Sequence, residues 1–334
     1  MPENVLICGA NWLGDCVMSM PAIQSFKRTH PSCRVTMLSK SKLCSLWSMH
    51  PCVDAAIALP DGVFGTLKAS GMARECEFDE AYVLPNSFRS AFIPFFAGVP
   101  RRVGMVGHQR QWMLTDIAHV LRRQDREHQA WEYMDIMGLS KDCTNIDYPG
   151  LVVPEEKVRE AHATLEQMKW KKCLGLMPGA AYGPAKRWPA EYFVEVGCEF
   201  AKNGYGIAVM GSMAEVDLCA AVSSGIGERS LSLAGRTSLP QLAALLGVCS
   251  AVVTNDSGGM HLASAIGIPV VAVFGITDPS KTGPLGKKNR VICAEGVSRS
   301  RDIERVSMEA ESSLKSIKPE KVCKAVLELL DSRY

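Results

Sequence analysis

The chain has 334 residues, of which 47% are hydrophobic and 22% are charged, and its formal net charge is +2. This composition is typical of a globular protein with enough residues for two α/β domains, and it argues against a disordered or fibrous chain. The near-neutral charge excludes no partner by itself, but nothing in the chain predicts a nucleic-acid partner.

The thirteen cysteines are scattered, with no C-x-x-C pair and no Cys/His cluster at metal-ligand spacing. We therefore expect neither a metal site nor a disulfide framework. The chain starts without a basic segment before its first apolar run, and no apolar run approaches the roughly 18 residues that a membrane-spanning helix needs. These features predict a cytoplasmic protein.

Short apolar runs alternate with helical patterns in the first half of the chain. Strands are predicted at residues 5–8, 34–38, 55–59 and 81–84, and a glycine-containing loop leads from the first of them into a helix at about 16–29. This alternation is typical of βαβ units in a parallel sheet.

The same pattern begins again after Tyr148-Pro149. Helices are predicted at 155–168 and 189–203, and strands at 173–177, 206–210, 230–233, 251–254 and 270–274. We predict an α/β protein with two doubly wound domains, residues 1–153 and 154–318, that face a central cleft, the default ligand site. A last helix within residues 319–334 is long enough to pack back across the domain boundary.

Three loops follow predicted strands, at the sheet edge where open α/β sheets bind ligands. The first is "CGANWLGD", residues 8–15, which lacks the G-x-G-x-x-G dinucleotide pattern and places Asp15 at the start of a helix. Asp15 is a candidate catalytic carboxylate. The alternative is a charge that only complements the helix dipole.

The second loop is "MPGAAYGPAKRWP", residues 177–189, in which glycines release the chain from a strand before Lys186 and Arg187. A cation beside exposed backbone amides favours a phosphate or pyrophosphate ligand. The alternative is a solvated pair of charges on a turn.

The third loop lies in "VVTNDSGGMHLASAIGIPVVAVFG", residues 252–275, between an apolar strand and a helix. Asp256 could accept hydrogen bonds from sugar hydroxyls, and Ser257 and Gly258 could present N–H groups to a phosphate at the helix N-terminus. His261 follows within one turn. The alternative is an ordinary capped helix with a structural histidine.

Several segments together resemble one family. They are "NWLGD", "YVLPNSFRSAFIPFFAGVPRRVG", "PGAAYGPAKRWP", "GSMAEVD", "LAGRTSL" and "VTNDSGGMHLASAIGIPVVAVFG". In this order they are similar to the ADP-heptose:lipopolysaccharide heptosyltransferases, and most similar to the heptosyltransferase II branch.

The resemblance implies a GT-B fold with an acceptor-binding N-terminal domain and a nucleotide-sugar-binding C-terminal domain. It implies inverting transfer of heptose from ADP-heptose, with no cofactor or metal required, to the first heptose of the anionic lipopolysaccharide inner core. Such an acceptor is compatible with peripheral contact with the cytoplasmic face of the inner membrane. The resemblance indicates no oligomeric state.

The resemblance also implies roles for individual residues, with Asp15 as the general base and Lys186 as the ligand of the donor phosphate. The other donor-site residues it implies are Ala181, Tyr182, Ser212 or Glu215, Thr237, Asp256, Ser257, Gly258 and His261. The acceptor-site residues that we expect are Asn11, Trp12, Asn86, Arg89, Arg101 and Arg102. Two positions depart from the family, because Ala181 stands where a glutamate is usual and Gly259 where a larger apolar residue is usual.

Residues 86–126 are rich in arginine. The seven arginines, against Asp116 and Asp125, are Arg89, Arg101, Arg102, Arg110, Arg122, Arg123 and Arg126. This excess suits capture of an anionic acceptor, although an ordinary charged surface is the alternative. We expect the phenylalanines of the same segment, Phe88, Phe92, Phe95 and Phe96, to lie in the core and not to anchor the protein to a membrane.

Three other functions stay open at this point. The first is the same fold with another acceptor, as in heptosyltransferase I. The second is a nucleotide-sugar epimerase of GT-B architecture, and the third is a nucleotide-binding regulator without turnover. Asp15 argues against the regulator, since a pure binder needs no carboxylate opposite a phosphate loop.

Overall fold

The computed structural model describes residues 2–62, 64–121, 127–141, 143, 145–297, 299, 304 and 307–331. The chain divides into two compact units, an N-terminal unit of Met1–Val152 and a C-terminal unit of Val153–Tyr334.

The N-terminal unit alternates strands and helices. In chain order they are β1 Asn4–Cys8, α1 Leu13–Thr29, β2 Arg34–Lys40, α2 Ser41–Trp47, β3 Ala55–Leu59, α3 Gly65–Arg74, β4 Glu80–Val83, α4 Phe88–Phe96, β5 Arg101–Met105, β6 Asp116–Ala118 and α5 Ala130–Ile136. A short 3₁₀ turn, Gln111–Met113, precedes β6.

The described strands of this unit form one parallel sheet of order β3-β2-β1-β4-β5-β6. The central strand β1 is buried along Val5, Leu6 and Ile7, because helices cover both faces of a parallel sheet. The chain reverses its direction of travel across the sheet between β1 and β4. That reversal is the topological switch point, and ligands of doubly wound sheets bind outside the carboxyl ends of the strands there.

The C-terminal unit repeats this plan. Its elements are α6 Glu155–Gln167, β7 Cys173–Met177, α7 Ala190–Lys202, β8 Gly206–Val209, α8 Val216–Ile226, β9 Ser230–Ser232, α9 Leu239–Gly247, β10 Ala251–Asn255, α10 Gly258–Ile266, β11 Val270–Phe274, α11 Pro279–Thr282, β12 Asn289–Cys293, α12 Met308–Ser316 and α13 Pro319–Asp331. Two 3₁₀ turns, Pro184–Lys186 and Met213–Glu215, follow β7 and β8.

The described strands of the C-terminal unit form a second parallel sheet, of order β12-β11-β10-β7-β8-β9. Counted within the unit this is the same strand order as in the first sheet, so its switch point lies between β7 and β10. Helix α13 packs against α7 and against β10, β11 and β12, and Val322 and Val326 are fully buried there. These contacts of α13 lie within the C-terminal unit.

Two parallel sheets flanked by helices confirm the predicted α/β class and the two Rossmann-like folds. Strands β5, β6 and β12 were not predicted. Strand β5 begins with Arg101 and Arg102, and β6 has three residues beginning with Asp116, so neither shows a continuous apolar run. The cleft between the domains stays a prediction.

Candidate functional site

Two loops of the C-terminal unit meet at its switch point. Strands β7 and β10 are paired, and the loops at their carboxyl ends carry Lys186 and Asp256. Lys186 Nζ lies 2.5 Å from Asp256 Oδ2, and the two side chains are 20% and 7% exposed. The ammonium also lies 5.6 Å from the centre of the Tyr182 ring. The second and third loops singled out in the sequence therefore form one site.

Asn255, the last residue of β10, holds the loop after β7 in place. Its Oδ1 accepts a hydrogen bond from the backbone N–H of Trp188 at 2.9 Å, and its Nδ2 donates to the carbonyl of Pro178 at 2.7 Å. Asn255 is fully buried, and Trp188 Nε1 donates to the carbonyl of Ile317. This role of Asn255 was not predicted, although an asparagine directly before Asp256 at the end of an apolar strand was a signal for it.

The N-terminus of α10 is suited to an anion. Ser257 precedes the helix with extended backbone and, among the described residues, its side chain makes no cap hydrogen bond to the helix. Its Oγ lies 3.3 Å from Thr254 Oγ1 instead. The first N–H groups of α10 and the positive end of its dipole therefore follow directly after Asp256, the residue that contacts Lys186. His261, in the same helix, is buried.

The unusual glycine in α10 is explained by a neighbouring methionine. A Cβ at Gly259 would lie 2.3 Å from Met177 Cε and 2.6 Å from its Sδ. Met177 is the last residue of β7, so its side chain fills the space that a larger residue at position 259 would occupy. Gly259 replaces the larger apolar residue that is usual in the family, and the Met177 side chain occupies the space under α10 instead.

Ser212 and Glu215 act together in the turn after β8. Glu215 Oε2 accepts hydrogen bonds from Ser212 N–H at 2.8 Å and from Ser212 Oγ at 2.7 Å. A Cβ at Gly179 would lie 2.0 Å from Glu215 Oε1, so only glycine leaves room for this carboxylate. The carboxylate therefore lies against the loop after β7.

The remaining donor-site candidates lie around this region. Ala181 and Tyr182 are exposed. Thr237 lines a cavity of about 160 Å³ together with Lys157, Glu160, Ala161, Thr164, Leu233, Arg236, Gln241 and Leu245. This cavity lies between α6, α9 and the loop that leads into α9.

Asp15 lies in the first turn of α1, after the carboxyl end of β1, and is partly exposed. Gln129 Nε2 donates to Asp15 Oδ1 at 3.0 Å, and the same nitrogen lies 2.9 Å from Tyr133 Oη. Burial and, secondly, the charge of Asp15 raise the pKa of Tyr133 well above its usual value. Asp15 is thus a carboxylate with one oxygen oriented by an amide.

Three acceptor-site candidates share the edge of the sheet with Asp15. Asn11 and Trp12 follow β1, and Asn86 follows the adjacent strand β4. All three are exposed, and Trp12 lies under Lys40, whose Nζ is 5.9 Å from the ring centre. A Cβ at Gly107 would lie 2.6 Å from Asn86 Oδ1, so Asn86 packs against the loop after β5.

Arg101 and Arg102 lie at the opposite edge. They begin β5, whose carboxyl end is about 13 Å further along the strand at 3.3 Å per residue. Arg101 forms ion pairs with Glu80 at 2.8 Å and with Asp116 at 3.6 Å. The Arg102 guanidinium donates to the carbonyls of Val99 and Met113. Neither residue therefore belongs to an acceptor site at the carboxyl ends of the strands.

Other arginines of the segment have different settings. Arg89 is exposed, and its Nε donates to Thr66 Oγ1 at 2.7 Å. Arg110 was counted among the arginines suited to capture an anionic acceptor, which is wrong, since it is fully buried and donates to the carbonyls of Met105 and Pro85. Arg122, Arg123 and Arg126 lie outside the described residues.

The expectation that the phenylalanines of α4 lie in the core is wrong for two of them. Phe88 and Phe96 are 42% and 40% exposed. Phe92 and Phe95 are partly buried and pack against the core of the N-terminal unit.

The described residues include no group of three or more His, Cys, Asp or Glu side chains placed to hold a metal ion. No helix within the described ranges has the length and apolar character needed to cross a membrane.

Comparison with known proteins identifies the family. Residues 70–312 match the model of glycosyltransferase family 9 (heptosyltransferase). The chain belongs to this family. It is 34% identical over 307 residues to lipopolysaccharide heptosyltransferase 2 of Escherichia coli strain K12, covering 86% of this chain and 87% of that protein. It is 33% identical to lipooligosaccharide heptosyltransferase 2 of Haemophilus influenzae, covering 86% and 88%. The protein is therefore a glycosyltransferase, as the sequence motifs predicted.

The fold agrees with that assignment. The structure of E. coli ADP-heptose lipopolysaccharide heptosyltransferase II has a TM-score of 0.86 and 30% identity, covering 98% of this chain and 99% of that one. A glycosyltransferase family 9 protein from Veillonella parvula has the same TM-score at 22% identity, which shows the shared fold. The predicted GT-B class is confirmed by these structures together with the two parallel sheets.

Proposed function

We propose that this glycosyltransferase moves heptose from ADP-heptose to the first heptose of the lipopolysaccharide inner core. The similarity to heptosyltransferase 2 proteins supports the substrate pair. The structural observation that carries the proposal is the Lys186–Asp256 pair beside the N-terminus of α10, at the switch point of the C-terminal sheet. An ammonium and open helix N–H groups together suit the pyrophosphate of a nucleotide sugar.

The donor half of the mechanism rests on these groups. As the bond between the anomeric carbon and the phosphate oxygen breaks, negative charge develops on ADP. Lys186 and the N–H groups of Ser257 and Gly258 stabilise that charge. Asp256 keeps the ammonium in position before the donor arrives. The further donor contacts that we propose are Ala181, Tyr182, Ser212, Glu215, Thr237 and His261.

The acceptor half rests on Asp15. A sugar hydroxyl is a weak nucleophile, and Asp15 accepts its proton as the oxygen attacks the anomeric carbon, a role worth roughly 10²- to 10⁴-fold in rate. Gln129 Nε2 donates to Oδ1 and so helps to orient the carboxylate. Attack opposite the departing ADP inverts the anomeric configuration. Asn11, Trp12 and Asn86 are the proposed acceptor contacts on this edge of the sheet.

This scheme assigns every charge-stabilising step to protein groups, and no cofactor is required in it. The acceptor is anchored in a lipid bilayer, so the reaction takes place at the cytoplasmic face of the inner membrane, with peripheral contact between enzyme and membrane. The acceptor half of the mechanism is supplied by residues of the N-terminal unit and the donor half by residues of the C-terminal unit.

The test measures ADP release with ADP-heptose alone, with ADP-heptose plus an acceptor that carries the first heptose, and with ADP-heptose plus an acceptor that lacks it. We expect ADP release and a heptose-extended product only in the second mixture. Turnover only with the acceptor that lacks heptose would assign heptosyltransferase I activity. An altered donor sugar without acceptor would indicate an epimerase, and ADP-heptose binding with no reaction in any mixture would indicate a regulator.

A further inference from the structure

The N-terminal unit carries an exposed group of aromatic rings, here called the aromatic patch, which consists of Phe88, Phe92, Phe95, Phe96 and Trp112. Trp112 is 60% exposed, more than either Phe88 or Phe96. The ring centres of Phe92 and Phe96 are 4.0 Å apart, and those of Phe95 and Trp112 are 5.1 Å apart. Phe88 lies 6.4 Å from Phe92 and 6.3 Å from Trp112. The five rings therefore form one continuous apolar surface.

The patch is built on a fixed support. Phe88, Phe92 and Phe96 occur at intervals of four along α4, so they share one face of that helix. The opposite face is buried through Ala91, Ile93 and Pro94. Phe92 and Phe95 also pack against the core of the unit, which connects the patch to that core. The helix α4 already buries another apolar face, so the packing of α4 does not explain why Phe88 and Phe96 are apolar and exposed.

Three arginines contribute positive charge beside the patch, and their guanidinium groups also donate to neighbouring protein oxygens. The Arg102 guanidinium carbon lies 5.4 Å from the centre of the Phe95 ring. Arg74 donates to the backbone carbonyl of Phe96, and Arg89 lies on α4 next to Phe88. Residues 85–115 contain no Asp or Glu in the sequence. This combination of exposed rings and neighbouring arginines is complementary to a partner that has an apolar interior and negative charge at its surface.

We propose that the aromatic patch docks the protein on an anionic lipid bilayer. Phe and Trp rings favour the boundary between headgroups and acyl chains, and Arg side chains beside them bind anionic headgroups. A second copy of this chain fits less well, since a two-fold contact through the patch would bring the arginines of both copies together. The inference rests on the proposed function only in that a lipid-anchored acceptor supplies the reason to bind a bilayer.

The experiment is flotation of the purified full chain with vesicles of phosphatidylcholine, or of phosphatidylcholine with phosphatidylglycerol. The test variant is Trp112→Ser combined with Phe96→Ser, and Trp112→Ser alone is a milder change at the most exposed ring. Leu327→Ser, at a 52% exposed leucine of α13, is the matched control. Circular dichroism and thermal melting verify that each variant is folded.

We expect the parent and the control to float with anionic vesicles, more weakly as salt is added. The double variant should bind the anionic vesicles roughly tenfold less tightly than the parent. The affinity of the single variant should fall in the same direction but by less. Equal binding by parent and folded double variant, or no binding by the parent, would overturn the proposal. The proposal would also be overturned if the parent self-associated through the patch but did not bind vesicles, and the double variant no longer self-associated.

A lipid-free oligosaccharide acceptor separates this inference from the proposed function. The folded double variant should transfer heptose to that acceptor at the parental rate, because the patch serves the bilayer only. Loss of this reaction would show that the patch belongs to the acceptor site and would overturn the docking proposal. If the parent transfers no heptose but vesicle binding follows the expected pattern, the proposed function fails and the docking inference stands.

Discussion

Lys186 and Asp256 are 70 residues apart in the chain, and Lys186 Nζ lies 2.5 Å from Asp256 Oδ2. This contact joins the loop after β7 to the loop after β10 and places a cation beside the N-terminus of α10. Both side chains are mostly buried, and the contact is made by residues of the folded chain alone.

Lys186→Ala should weaken ADP binding and lower kcat/KM by roughly 10²-fold, because a point charge that stabilises the leaving group is lost. Calorimetry with ADP and steady-state kinetics measure the two effects. Arg187→Ala is the neighbouring control and should have a smaller effect on ADP affinity, because Arg187 Nη2 donates to the carbonyl of Ala180. Unchanged ADP affinity and unchanged turnover in the Lys186 variant would remove Lys186 from the donor site.

Asp256→Asn should raise the KM for the donor, because the ammonium of Lys186 is no longer held by a carboxylate. The effects of Asp256→Asn and Lys186→Met should not be additive, with a coupling of roughly 0.5–3 kcal/mol in a double-mutant cycle on kcat/KM. Additive effects within error would mean that Asp256 acts on the substrate directly and not through Lys186.

Asn255→Leu should lower the free energy of unfolding by about 1–3 kcal/mol. The N–H of Trp188 and the carbonyl of Pro178 would stay buried but would lose their hydrogen bonds to Asn255. Urea unfolding of the two proteins measures this difference. The control is the same substitution at Asn289, an asparagine outside the donor loops whose Nδ2 donates to Ser264 Oγ at 3.0 Å. At a urea concentration where both variants are folded, only the Asn255 variant should show weaker ADP binding. Equal ADP affinities would limit Asn255 to a stabilising role.

Gly259→Leu should destabilise the protein by about 1–3 kcal/mol, because the new side chain meets Met177. Met177→Ala should also destabilise it, by leaving a space. The double variant should be more stable than the sum of the two changes predicts, and urea unfolding of the four proteins provides the cycle. A strictly additive double variant would show that Met177 does not compensate for the glycine.

Much of this fold could be predicted from the sequence, because β7, β10 and β11 are fully buried strands that each contain a run of apolar residues. The three loops were predictable for the same reason, since each follows such a run or the similar run of β1. Strand pairing was not predictable, so neither was the contact between Lys186 and Asp256. It depends on β10 lying beside β7, although β8 and β9 come between them in the chain.

The exposed phenylalanines show a second limit. Helix α4 has apolar residues on more than one face, so periodicity could not indicate which face packs on the sheet. Arg110 shows a third limit, because its burial depends on backbone carbonyls of Pro85 and Met105 that converge only in the folded unit. A count of charges along the chain contains no information on either point.

The most direct test of the proposed transfer reaction is kcat of Asp15→Asn with saturating ADP-heptose and an acceptor that carries the first heptose. Asparagine keeps the size of the side chain and an oxygen that can accept from Gln129, but it cannot take a proton near neutral pH. Binding of both substrates should survive while kcat falls by roughly 10²- to 10⁴-fold. A kcat within a few-fold of the parent, with the chemical step shown to be rate-limiting, would contradict the role of Asp15 and the mechanism built on it.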